Sequence, residues 1–172
     1  MIIIGFPGIG KSSVTRAYEG DTNTTGYIDL ESSNFVKDNN WVKEYCDLAI
    51  DLDLQGYNVF VSSHKNVREY LVDKQDIFPD VIEVFPLKEL KTDWLKRLES
   101  RYMKCKTAKN ERVLNYMRNN FDTAVDEMER DAIIHKVRIT KENMNDLKKA
   151  MSDYWNNRNE WRIKYLNKWD IK

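Results

Sequence analysis

The chain reads as an α/β protein in which helices cover both faces of a mostly parallel β-sheet. Three observations lead there. Short apolar runs recur near residues 2–4, 27–30, 58–62, 81–85 and 136–139. Stretches with helical spacing of apolar residues separate them. The connections are short, so strand and helix alternate along the chain, which is the pattern of a parallel sheet.

Taken in order, Ile2-Ile3-Ile4 is wholly apolar and ends at Gly5, as buried parallel strands do. A glycine-rich loop follows, and then a helix is expected over 14–19. Tyr27-Ile28-Asp29-Leu30 reads as the second strand, set off by the turn-rich stretch 21–26. A helix is expected over 40–55, with Trp41, Tyr45, Leu48, Ala49 and Leu52 on one face and Gly56 as its stop. The third strand is 58–62, followed at once by a helix over 64–74. The fourth is 81–85, closed by Pro86. A long helix over 87–103 carries Leu90, Trp94, Leu95, Leu98 and Tyr102 at helical spacing. The chain is then basic and polar over 104–120, and Asp122 is placed to cap a further helix running to about 130. A fifth strand at 136–139 and a helix over 141–151 complete the series.

With 172 residues the chain fits one α/β domain carrying at most a small inserted lid, and its 41% hydrophobic content is enough for a packed core. Lys plus Arg and Asp plus Glu each number 28, so the net charge is zero and global charge argues against a nucleic-acid partner. Cys46 and Cys105 form neither a disulfide framework nor a zinc spacing, which suits a cytoplasmic protein. The apolar opening reaches glycine at once, so neither a signal peptide nor a membrane association is expected, and no run approaches the length of a membrane span.

The most informative segment is Gly5-Phe6-Pro7-Gly8-Ile9-Gly10-Lys11-Ser12, which matches G-x-x-x-x-G-K-[ST] at every fixed position. Backbone N–H groups from Gly5, Gly8, Ile9, Gly10, Lys11, Ser12 and Ser13 are expected to wrap the β-phosphate of a nucleotide. Lys11 would reach between the β- and γ-phosphates, and the Ser12 hydroxyl would ligate Mg²⁺. Asp29 and Glu31 stand two apart at the carboxyl end of the second strand, the edge where open parallel sheets bind ligands. One carboxylate can serve hydrated Mg²⁺, for which Asp29 is the candidate, and the other can orient or deprotonate an acceptor hydroxyl. Ser32 and Ser33 can bind acceptor groups or simply cap the next segment.

The third strand is expected beside the first, which brings Ser62, Ser63, His64 and Lys65 toward the phosphate loop. Ser62 or Ser63 can fill a metal-side position, His64 can cap the next helix or be structural, and Arg68 can reach an anionic acceptor. Arg97 and Arg101 share a helix face, and with the basic stretch after them they suggest a closing lid at 102–121 that supplies positive charge and excludes water. The bland alternative pairs these arginines with Glu99 on a solvated face. No aliphatic strand ends in Asp-Glu as motor-type ATPases require, so a small-molecule kinase is favoured. The tail over 152–172 places Trp161, Tyr165 and Trp169 four apart, as on an aromatic helix. Packing onto its own domain, a homodimer contact, and a nucleic-acid surface are its three readings, in that order.

GFPGIGKSS at 5–13, YIDLESSNF at 27–35, VFVSSHKNVREYL at 59–71, FPLKELKTDWLKRLESRY at 85–102 and NFDTAVDEM at 120–128 together resemble the nucleoside monophosphate kinase group of P-loop kinases, nearest its small phage-type members. The resemblance covers residues 1 to about 150. It implies a three-layer sandwich, a five-stranded parallel sheet in the order 2-3-1-4-5, a helical lid after the fourth strand's helix, and ATP with Mg²⁺. It further implies catalytic roles for Lys11, Asp29, Glu31, Arg97 and Arg101, metal contacts from Ser12 and Asp29, and acceptor contacts from Ser33, Ser63, His64 and Arg68. The expected reaction is phosphoryl transfer to a nucleoside or deoxynucleoside monophosphate. Asp29-Leu30-Glu31 and Ser62-Ser63-His64-Lys65 also resemble shikimate and gluconate kinases, which leaves a hydroxyl acceptor open. A nucleotide-binding module within a nucleic-acid complex is the non-enzymatic alternative.

Overall fold

A computed structural model describes residues 1–17, 26–75, 80–133 and 135–152. Five strands form one sheet: β1 (Ile2–Gly5), β2 (Tyr27–Asp29), β3 (Asn58–Ser62), β4 (Val81–Pro86) and β5 (His135–Ile139). Their order is β2-β3-β1-β4-β5 and every pairing is parallel. Helices α1 (Lys11–Ala17), α2 (Trp41–Leu54), α3 (Lys65–Val72), α4 (Lys91–Lys104) and α5 (Ala108–Arg130) alternate with them, and residues 147–152 are again helical. Ile2, Ile3 and Ile4 are all fully buried. Because successive strand side chains point to opposite faces, β1 is covered on both. The architecture is therefore α/β with an all-parallel sheet, and it is compatible with a P-loop-type fold. Among the described residues no helix is long and apolar enough to cross a membrane.

The register sets the functional edge. Gly5 pairs with Ser62 on one side and Val84 on the other, and Asp29 pairs with Phe60. The carboxyl ends of β1, β2 and β3 therefore open to the same side. The Tyr45 hydroxyl pins two of them, donating to the Leu30 carbonyl at 2.7 Å and accepting from the Ser62 N–H at 2.8 Å. Phe6 packs edge-on against both Trp94 of α4 and Phe121 of α5, which fixes the α4–α5 hairpin to the loop after β1.

Several elements differ from the sequence expectation. In α2 the buried stripe runs through Tyr45, Cys46, Ala49, Ile50 and Asp53, so Leu48 falls outside it and is exposed. The expected helix over 87–103 starts later. Leu87 is extended and its N–H bonds to the Ile139 carbonyl, prolonging the sheet edge before a 3-10 turn at Lys88–Leu90 and then α4. Asp122 caps no helix. The cap is Thr107, whose hydroxyl accepts from the Asn110 N–H, and α5 then runs unbroken for 23 residues with Asp122 paired to Lys91. Residues 102–121 are thus the end of α4, a short turn and the first half of α5. After β5 the expected helix begins only at 147, because Asn143 Oδ1 takes the Thr140 N–H and Asp146 Oδ1 takes the Lys149 N–H, closing a turn and a cap. The aromatic tail over 153–172 lies outside the described residues.

Candidate functional site

The loop between β1 and α1 is built around glycines. Gly8 and Gly10 have φ of +90° and +101°, a region L-side chains rarely adopt. A Cβ on Gly5 would come 2.6 Å from the Ile9 side chain and one on Gly8 would come 2.9 Å from Leu98. The loop is held from outside by Trp94, whose indole N–H donates to the Pro7 carbonyl at 2.8 Å. Within it the Ile9 N–H bonds to Phe6 and the Ser13 N–H to Gly10. The N–H groups of Gly8, Gly10, Lys11 and Ser12 donate to no acceptor among the described residues. Four such donors in one glycine-rich turn can serve as an anion cradle.

Lys11, Ser12 and Asp29 meet at the mouth of this cradle. Ser12 Oγ donates to Asp29 Oδ2 at 3.1 Å, and Lys11 Nζ lies 3.2 Å from Asp29 Oδ1. That second contact is electrostatic rather than a formed hydrogen bond, since Asp29 Oδ1 is buried without a donor, as is Ser62 Oγ. A hydroxyl and a carboxylate oxygen side by side, one with an orphaned partner atom, fit Mg²⁺, which keeps most of its ligands as water and substrate phosphate. Among the described residues no three His, Cys, Asp or Glu gather to hold a metal by themselves. The site therefore suits a metal brought with a nucleotide.

A cavity of about 180 Å³ adjoins the cradle, with Ile9, Gly10, Ser13 and Val14 on one side and Arg97 and residues 145–148 on the other. Arg97 bonds to the Met144 carbonyl and stacks near Trp94, its guanidinium 5.4 Å from the ring. Burial first, then Arg101, lowers its pKa. Arg101 is exposed and its side chain makes no hydrogen bond or ion pair among the described residues. Glu99 pairs instead with Arg118 at 2.8 Å, so the bland pairing of Glu99 with Arg97 or Arg101 does not occur. The wall at 145–148 was not singled out in the sequence. The available signal was its position beyond the carboxyl end of a parallel strand.

The remaining candidates make other contacts. The Glu31 carboxylate pairs with Lys109 at the start of α5, at 2.7 Å. Ser33 is exposed in the 3-10 turn after β2. Ser63 offers its carbonyl to Arg68 at 2.6 Å. His64 sits at the N-cap of α3 without capping it by its side chain, and its ring lies edge-on to Trp41 at 6.1 Å.

Arg68 requires a correction. It is buried rather than turned to a ligand, and its guanidinium is occupied by Asp131, by Glu127 at 2.9 Å and by the Ser63 carbonyl. Seating an acceptor there would mean evicting two carboxylates. The same cluster contains Glu83 of β4, wholly buried, with Arg68 at 3.9 Å and Lys136 at 4.0 Å. Burial, followed by Asp131, raises the Glu83 pKa to about 8. With Glu83 protonated, the charges of Arg68, Lys136, Glu127 and Asp131 cancel.

No family model matches this chain, and the curated proteins contain no match to it.

Proposed function

We propose that this protein is an ATP-dependent kinase of the P-loop type that transfers the γ-phosphoryl group to a nucleoside or deoxynucleoside monophosphate. The observation that carries the reading is the cluster of Lys11, Ser12 and Asp29 at the mouth of a loop with four unused N–H donors. The donors fit a polyphosphate, and Lys11 can pass its charge from Asp29 to the β- and γ-phosphate oxygens. Mg²⁺, held by Ser12 directly and by Asp29, would neutralise charge developing on those oxygens. The cavity lined by Arg97 and residues 145–148 is suited to the nucleoside end of the donor. An acceptor oxygen attacks the γ-phosphorus as the bond to the β–γ bridging oxygen breaks, leaving the electron pair on ADP. Arg101 has no competing partner among the described residues and stands on the α4 face that carries Arg97. A hairpin lid over 102–121 would bring further positive charge and exclude water.

A hydroxyl acceptor is favoured by one observation: the donor-free Asp29 Oδ1 can accept a proton. Glu31 is bound to Lys109, so a base role would fall on Asp29. Asn167-Lys168-Trp169-Asp170 has the Asn-Lys-x-Asp spacing of base-reading segments in GTPases and lies outside the described residues, so GTP belongs in any donor test. The test is Lys11→Ala. It should lose at least about a hundredfold in transfer, roughly 2.8 kcal/mol of transition-state stabilisation, while keeping the unfolding midpoint. Equal turnover and equal Mg-ATP affinity in the two proteins would refute the reading.

A further inference from the structure

After β2 the chain folds back through the turn Ser32–Asn34 before entering α2. The fold-back carries Lys37 over the indole of Trp41, 3.3 Å from the ring centroid, with Nζ donating to the Ser32 carbonyl at 2.6 Å. An ammonium has three donors, and this one forms no ion pair among the described residues. His64 stands on the edge of the same indole, and Tyr45 is tilted against it at 6.1 Å. Burial lowers the His64 pKa, and Lys37, Lys11 and Arg68 lower it further in turn, with no carboxylate opposing them. Three cations therefore act on this ring. The charge of Arg68 is matched by Asp131 and Glu127, and Lys11 shares Asp29. Of these three cations, Lys37 is the one with no ion-pair partner among the described residues.

We propose that Lys37, over Trp41 and beside His64, seats the phosphate of the acceptor, which is a phosphomonoester carried on a flat ring: a nucleoside monophosphate. This rests on the kinase reading above and assigns its acceptor side to residues other than Arg68. Lys37 and Lys11 both act on His64, so an anion held beside that ring would be drawn by both cations. Its attacking oxygen is already ionised, so no general base is needed, in keeping with a Glu31 committed to Lys109. When Lys37 turns to the phosphate it uncovers the indole face, and a nucleobase can stack there.

The test is calorimetry on the full chain saturated with Mg-ADP. The titrants are the eight common ribo- and deoxynucleoside monophosphates, their parent nucleosides, inorganic phosphate and shikimate. At least one monophosphate should bind about 30-fold or more tightly than its nucleoside. Lys37→Gln should weaken that monophosphate roughly ten- to a hundredfold, the worth of a charge-assisted hydrogen bond, and leave nucleoside and Mg-ADP affinities unchanged. Trp41→Leu should weaken monophosphate and nucleoside together. Equal effects of Lys37→Gln on monophosphate and nucleoside, no effect at all, or binding of shikimate or inorganic phosphate without any nucleotide would each overturn the assignment. Failure of Mg-ADP to bind would count against the kinase reading instead, and the monophosphate titrations on the free protein would judge Lys37 by the same criteria.

Discussion

Replacing Glu83 by glutamine should make the protein less sensitive to alkali. Glu83 is fully buried, neither oxygen has a donor, and its pKa is raised to about 8 from an ordinary 4.5 by burial and by Asp131. A carboxyl whose pKa rises on folding binds more proton in the folded state. Its contribution is therefore fully present below about 4.5 and is lost as pH climbs through about 8. At 1.36 kcal/mol per pH unit, the full span amounts to about 5 kcal/mol, comparable with the whole stability of many domains. Glutamine keeps a donor toward Asp131 and cannot ionise. His64 and His135, whose pKa values are lowered by burial, push the other way, adding stability as pH rises through the mid-sixes. They act equally in both proteins and cancel in the difference. Urea unfolding of wild type and Glu83→Gln from pH 5 to 9 should show the variant gaining several kcal/mol relative to wild type between pH 5 and 8.5. A difference that stays constant with pH, or that favours wild type at alkaline pH, would refute a protonated Glu83.

Three further outcomes follow from the site. Gly8→Ala meets both a φ of +90° and a contact of 2.9 Å with Leu98, and should cost about 1–3 kcal/mol in unfolding free energy together with most nucleotide affinity; an unchanged ATP titration would contradict the cradle. Asp29→Asn should raise the Mg²⁺ concentration for half-maximal binding of Mg-ATP about tenfold or more, and an unchanged Mg²⁺ dependence would remove Asp29 from the metal. Arg97→Gln should weaken ATP more than it weakens inorganic triphosphate, since Arg97 lines the cavity assigned to the nucleoside as well as standing close to Gly10; equal losses for the two ligands would show that its role is only charge.

Much of the fold was legible because it rests on period and punctuation. The Ile2-Ile3-Ile4 run, the strand ending at Ser62 and the apolar 81–85 segment each announced a buried parallel strand, and the register brings Gly5, Asp29 and Ser62 to one edge as expected. The sheet order, implied by resemblance alone, is the order observed. What failed were the points where a side chain competes with helix pattern. Thr107 rather than Asp122 caps α5, since a polar residue flanked by helix formers carries no mark of its own. Asn143 and Asp146 delay the last described helix in the same way. At the site, the loop motif located Lys11 and Ser12 because its glycines dictate backbone shape. Arg68 was misread because one sequence cannot show that Asp131 and Glu127, some sixty residues on, turn toward it. Lys37 was passed over because nothing local in the sequence announces that the chain folds back to lay it on Trp41.

The central claim is acceptor-dependent transfer from ATP. Its most direct test is a coupled assay of ADP release from Mg-ATP, and in parallel of GDP release from Mg-GTP, run with every ribo- and deoxynucleoside monophosphate and with gluconate and shikimate as controls. The account predicts that one monophosphate exceeds the rest by at least about 100-fold in kcat/KM, a gap of about 2.8 kcal/mol, and that Lys11→Ala abolishes the signal. Turnover only with the sugar-like controls, or release of ADP at the same rate whether or not an acceptor is present, would contradict it.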